Sequence, residues 1–355
     1  MKPNLTSYRW RARFKLVHAI AAAWLLLGGL TASSRADILY VSNFGDNTIV
    51  KFTSDGVGSV FVGSGLNRPR GLAFDSAGNL YVASSATNTI VKFTKAGVGS
   101  LFASNGLSTP YGLAFDVAGN LYVANNGNNT IEKFTSGGVG SLFASSGLDF
   151  PRGLAFDSAG NLYAGNLGNV GLSNNTIEKF SPTGTDLGPF ASTLDQPFGL
   201  AFDSQGNLFV ANQTDNTIRK FTTGAVGSVF ASTGTNNPLG LAFDSLGNLY
   251  VAYQANNTIE KFSPTGIDLG TFASTGVNNP RFLAFTDDAG QPLLPTPLLS
   301  INRSGTNVVV RWTVGGTLLS STNVTGTFNP VAGSPTSPFT NSPAGARQFF
   351  RVRLS

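Results

Sequence analysis

The stretch Gly71–Ser104, GLAFDSAGNLYVASSATNTIVKFTKAGVGSLFAS, decides the fold. It holds four short apolar runs, GLAF, NLYVA, TIVKF and SLFA, separated by Gly, Asn, Asp or Ser. Runs this short with such punctuation are strands joined by tight turns. In Asp-Ser-x-Gly-Asn the Asp caps its own backbone and the Gly takes the φ > 0 position, which makes a hairpin turn. The unit recurs. Gly-Leu-Ala-Phe-Asp ends at Asp75, Asp116, Asp157, Asp203 and Asp244, at spacings of 41, 41, 46 and 41 residues, and an altered sixth copy, FLAFT, spans Phe282–Thr286. Four strands per unit of this length is the sequence form of a β-propeller blade.

The phase of the ends gives the blade number. From Asp37 the chain opens with DILYV, the second run of a unit, and continues with NTIVKF and SVFVG; the missing first run stands at the far end, Arg281–Phe285. The expectation is therefore an all-β, six-bladed propeller over residues 37–290, closed by one blade shared between its first and last segments. Such closure removes the free edges of an open array. Composition agrees: 41% of the 355 residues are apolar and only 12% charged, with 43 Gly and 28 Phe, which suits many turns rather than helical bundles. Three Phe recur per blade and read as core between blades, each stabilising by about 1.5–3 kcal/mol when buried. The repeated Lys51, Lys92, Lys133, Lys179, Lys220 and Lys261 read as structural, stem packed and amine in water. Asn47, Asn88, Asn129, Asn175, Asn216 and Asn257 read as turn formers.

Residues 1–36 read as a secretory signal peptide. Lys2, Arg9, Arg11, Arg13 and Lys15 precede the apolar run Leu16–Leu30, and Ser34-Arg35-Ala36 offers small residues for a cut after Ala36. The apolar run is shorter than the roughly 20 residues of a membrane span. Its removal takes six of the 23 basic residues and leaves 17 against 18 acidic ones, net −1, so the basic character of the whole chain argues for no nucleic-acid partner. The remainder holds no His, Cys or Met. A secreted, periplasmic or cell-surface monomer with no membrane span is expected.

GLAFDSAGNLYVA followed by NNTIEKF, with a Pro just before the Gly, resembles the NHL repeat of β-propellers, and YVSNFGDNTI is similar to the related YVTN repeat. The resemblance covers Asp37 to about Asp288. It implies the propeller fold and leaves function open, since the family includes protein-binding and RNA-binding scaffolds and neighbouring six-bladed propellers include enzymes. Where such repeats often carry Asp after the YVA run, this chain has Asn43, Ser84, Asn125, Asn166, Asn212 and Tyr253. That exchange keeps a turn hydrogen bond and removes a ring of acidic metal ligands.

Gln291–Pro297 reads as a Pro-rich linker. Residues 298–355 read as a small β-sandwich module of immunoglobulin or fibronectin type, whose five Arg face no acid, against a net −6 for residues 37–290. Opposite charge suits docking of the two domains or binding to an anionic envelope polymer.

The candidate site follows from the one position that varies. Just after the repeated Pro stand Arg70, Tyr111, Arg152, Phe198, Leu239 and Arg281, one per blade, which symmetry places in a ring at the channel mouth. Guanidinium forks suit carboxylate or phosphate, and aromatic faces suit stacking. The 46-residue spacing comes from a lengthened second-to-third loop in the fourth blade, on the same face, and Tyr253 is placed there too. The expected ligand-binding set is Arg70, Tyr111, Arg152, Phe198, Arg281 and Tyr253. With no His or Cys available and no acidic cluster, composition weighs against catalysis. The expectation is a non-enzymatic binding or scaffold propeller for an anionic glycan, an envelope polymer or a protein partner, with no cofactor and no metal. The alternative is a lactonase-type enzyme using a divalent metal, or a lyase-type one built on Tyr111 and Arg152.

Overall fold

The computed structural model describes residues 36–168, 175–192 and 194–293, and beyond them the backbone of strand segments 300–304, 307–311, 317–321, 329–330, 339–341 and 349–353. The signal peptide expected over residues 1–36 lies outside the described residues but for Ala36. Among the described residues every regular element is a strand, and no helix is long and apolar enough to cross a membrane.

Six four-stranded antiparallel sheets run from an inner to an outer strand. The innermost strands are Pro69–Phe74, Pro110–Phe115, Pro151–Phe156, Pro197–Phe202, Pro238–Phe243 and Pro280–Thr286. Each touches the next, and the last touches the first, so they enclose a central axis. The closing blade is knitted as expected. Ile38–Asn43 pairs with Pro280–Thr286, with Leu39 opposite Phe285 and Val41 opposite Leu283. Counting that blade as first, the others follow in chain order.

Close approach of the inner strands explains the Gly of GLAF. A Cβ on Gly112 would stand 2.2 Å from the Arg152 carbonyl oxygen. Between blades the core is aromatic, as the repeated Phe imply. The Tyr81 ring meets Phe102 of its own blade edge-on at 4.8 Å and Phe115 of the next at 5.0 Å. The pattern repeats around the wheel, from Tyr40 with Phe61 and Phe74 to Tyr250 with Phe272 and Phe285.

Two repeated residues do more than their types suggest. The Lys amines are not simply solvated: Lys92 Nζ lies 3.4 Å from Asp75 Oδ2 and 5.1 Å over the Tyr81 ring. The same ion pair forms in every blade that keeps the Asp of GLAFD. In the closing blade Thr286 stands there instead, and Lys51 lies over Phe61. Five of the Asn turn formers, Asn47, Asn88, Asn129, Asn216 and Asn257, have left-handed φ and are also latches. Asn88, at φ 53°, accepts the backbone N–H of Thr109, which opens the following blade, at 2.7 Å.

After the last inner strand the chain folds back on it, with Leu293 N–H donating to the Phe285 carbonyl at 3.3 Å. Further on, strands 300–304, 307–311 and 339–341 form one sheet and 329–330, 317–321 and 349–353 another. The side chains of this module, its five Arg included, lie outside the described residues.

Candidate active site at the channel mouth

A β-bulge at the start of each inner strand builds the ring. Pro69 opposes Ser84 and Leu72 opposes Val82, so Arg70 and Gly71 share one partner. The same irregularity follows Pro110, Pro151, Pro197 and Pro238, and the closing blade has it between Pro280 and Leu283. A bulge turns its extra residue out of the ladder and so re-aims a side chain. The residue before each Pro is held in left-handed conformation, from φ 45° at Thr109 to 54° at Arg68. In five blades its N–H is fixed by the Asn latch of the preceding blade. The exception follows the fourth blade, where Asn175 Oδ1 is buried without a partner. That blade carries the lengthened loop, of which residues 169–174 lie outside the described residues.

The bulged side chains meet across the axis. Tyr111, Phe198 and Leu239 form one apolar cluster, with Phe282 packed against it. Phe282 fills the place where the other blades have Gly, and its ring lies 5.2 Å from that of Phe198. This is a floor of four side chains from four blades.

Three guanidiniums stand against aromatic rings here. Arg70 lies 3.7 Å over the Tyr111 ring and 4.8 Å over Phe44. Arg281 lies 4.5 Å over the same Phe44 ring, and Arg152 lies 5.1 Å over Phe198. Arg70 Nε donates to Ser85 Oγ at 3.0 Å, and an Arg152 terminal nitrogen donates to Gln213 Oε1 at 2.9 Å. Nε of Arg152 and Nε of Arg281 are buried without a partner. Among the described residues none of the three pairs with a carboxylate; the ion pairs are Lys–Asp pairs at the other end of the inner strands. Burial depresses all three guanidiniums, Arg70 and Arg152 to about 10, and mutual repulsion adds to it: Arg281 acts on Arg70, Arg70 on Arg152, and Arg152 on Arg281. In each case the Tyr111 phenol opposes the shift.

Five of the six expected site residues thus converge: Arg70, Tyr111, Arg152, Phe198 and Arg281. Tyr253 does not join them. It is 3% exposed, packs with Phe209, Ala211, Ile218 and Val251 between blades, and bonds Thr233. It occupies a position whose other holders are buried staples; Asn125 Nδ2, for example, donates to the Gly106 carbonyl at 2.7 Å. Phe44, Ser85 and Gln213, which orient the guanidiniums, escaped the sequence reading. All three directly follow the YVAN-type run, at another position that varies between blades.

The donor set does not suit a divalent metal. Among the described residues no three of His, Cys, Asp and Glu come together, and three cations at the mouth repel a dication.

No protein-family profile matches the chain. No curated protein matches it by sequence either. The likeness to NHL and YVTN repeats therefore stays a likeness of sequence pattern. Solved structures do match. A gluconolactonase from Xanthomonas campestris aligns over 77% of this chain and 89% of its own at 17% identity and a TM-score of 0.53. A streptogramin B lyase aligns over 79% of this chain and 95% of its own at 15% identity and a TM-score of 0.52. At such identities the likeness carries the fold. Both neighbours are nonetheless enzymes, and this overturns the expectation of a non-enzymatic binding scaffold; the enzyme alternative fits the findings better.

Proposed function

We propose that the chain is a lyase-type propeller enzyme whose reaction site is the Arg-lined channel mouth. One observation carries this reading: three guanidiniums without a carboxylate partner gather at the mouth against aromatic rings, with Arg70 3.7 Å over Tyr111 on an apolar floor. The neighbouring lyase and lactonase supply the precedent for enzymes on this architecture. Between those two, the poor fit of the residues to a divalent cation favours the lyase type.

Elimination suits these groups. In one concerted step Tyr111 Oη gives its own proton to the departing oxygen and takes one from a carbon next to a carbonyl. The C–H electron pair becomes the new C=C bond, the C–O bond at the next carbon breaks, and its pair leaves with the oxygen. Charge grows meanwhile on the carbonyl oxygen, where a guanidinium fork donates hydrogen bonds. Donors fixed in advance in a partly dry site stabilise that charge strongly, and removing one costs about 10²–10³-fold in rate. Arg70 stacks on the Tyr111 ring and positions the phenol.

The test is turnover of a panel of cyclic esters and of substrates with an oxygen leaving group β to a carbonyl, followed by the appearance of the conjugated double bond. Tyr111→Phe is expected to lose about 10²-fold or more of kcat while circular dichroism and thermal stability hold. Activity that survives Tyr111→Phe, or that requires added Ca²⁺ or Mn²⁺, contradicts the proposal.

A further inference from the structure

The mouth holds more positive charge than an elimination uses. One developing oxyanion occupies one guanidinium fork. Two remain, and among the described residues no carboxylate approaches them. Aromatic rings lie against the guanidiniums, Phe44 against Arg70 and Arg281 and Phe198 against Arg152. A ring quadrupole attracts a cation but does not neutralise it. Tyr111, Phe198, Leu239 and Phe282 pack into one apolar cluster beside the guanidiniums.

We infer that the substrate of this site is a small oxyanion carrying at least two fixed negative charges, a dicarboxylate or a phosphate monoester, held between Arg152 and Arg281 with Arg70 over Tyr111. The inference rests on the reading of the mouth as the reaction site and adds the charge of what enters it. Nε of Arg152 and Nε of Arg281 are buried without a partner, so neither charge is compensated by a hydrogen bond there. Nor can the cluster relieve itself by releasing a proton: even depressed to about 10, Arg70 and Arg152 stay charged at neutral pH. An anion is the remaining source of relief.

Thermal unfolding and calorimetry of the full chain at low ionic strength test this, with inorganic phosphate, citrate, succinate, acetate and glucose as probes. Phosphate, citrate and succinate are expected to raise Tm and bind; acetate is expected to bind at least about tenfold more weakly, and glucose not at all. Phosphate against succinate separates the two chemistries. Arg281→Gln is expected to cut affinity for the multiply charged probes by about tenfold or more, with a ligand-free Tm equal to or above that of the wild type, because a repelling charge has gone. Lys133→Gln, at the paired end of the strand, should leave probe binding unchanged. The inference is overturned if no anion binds, if acetate binds as well as succinate, or if Arg281→Gln lowers the ligand-free Tm and leaves anion binding intact. Turnover of an uncharged substrate without anion binding would overturn it and leave the lyase reading standing; anion binding without any turnover does the reverse.

Discussion

The inner strand Pro69–Phe74 has a cation over an aromatic ring at each end, and the two ends differ in one respect. At the far end Lys92 lies over Tyr81 and pairs with Asp75, which also accepts from the Ala77 N–H, from Asn79 and from the Tyr81 hydroxyl. At the mouth Arg70 lies over Tyr111 and pairs with no acid. The first arrangement recurs almost unchanged around the wheel; the second is assembled once, from unlike residues. A repeated, charge-balanced clamp needs nothing further. An unrepeated and unbalanced one is stable only because the surrounding blades impose it, and it is suited to receiving a ligand.

Substitutions can break or sharpen this contrast. The largest loss of stability is expected from Gly112→Ala, whose methyl would stand 2.2 Å from the Arg152 carbonyl oxygen. It should cost about 1–3 kcal/mol or more and disturb the mouth and the wheel together, seen as a lower Tm and weaker anion binding. Next comes Asp116→Asn. It removes the Lys133 ion pair and weakens the bonds to Asn120 and Tyr122, at about 1–3 kcal/mol, read by denaturant unfolding. Burial pushes the Asp116 carboxyl up, but the hydrogen bonds from Asn120 and the Lys133 charge outweigh it and hold it below the usual carboxylate range. With the folded pKa depressed, the stability this group supplies is present above its unfolded pKa and lost as pH falls through the folded value. Asp116→Asn should therefore flatten the fall in Tm at strongly acidic pH.

A smaller effect separates charges that can relieve themselves from those that cannot. Glu178, nearly buried on the third strand of its blade, is pushed up to about 7 by burial and then by Asp186. Its folded pKa lies above its unfolded one, so its contribution is present below the unfolded pKa and lost as pH rises through about 7. Glu178→Gln is expected to raise Tm by a few degrees at pH 8 and not at pH 5. Uptake of a proton relieves this carboxyl, whereas the guanidiniums have no matching escape near neutral pH.

The architecture was legible because a propeller repeats its strands. The spacing of GLAFD, and the phase of DILYV against Arg281–Phe285, give the blade number and the closure. The mouth was half legible. A position that varies within a uniform repeat marks the ring, and five residues met there. Tyr253 misled because its outward-sounding position, after the YVA run, is where side chains turn inward to tie down the connection, as Asn43 Nδ2 does on the Gly276 carbonyl. The Lys–Asp clamp stayed hidden because it depends on register: Lys92 lies opposite Tyr81, and Tyr81 opposite Ala73, which brings Lys92 over to Asp75. The bulge that aims the arginines is likewise a matter of pairing. As for function, the lack of His and Cys argued against catalysis, yet Tyr and Arg can transfer a proton and stabilise an anion without them.

The most direct test of the unbalanced mouth is a crystal structure of the protein grown with malonate. The account predicts density bridging Arg152 and Arg281, within hydrogen-bond distance of both guanidiniums, with Arg70 still over the Tyr111 ring. A mouth that holds only water at saturating malonate, with the three arginines unmoved over their rings, would contradict it.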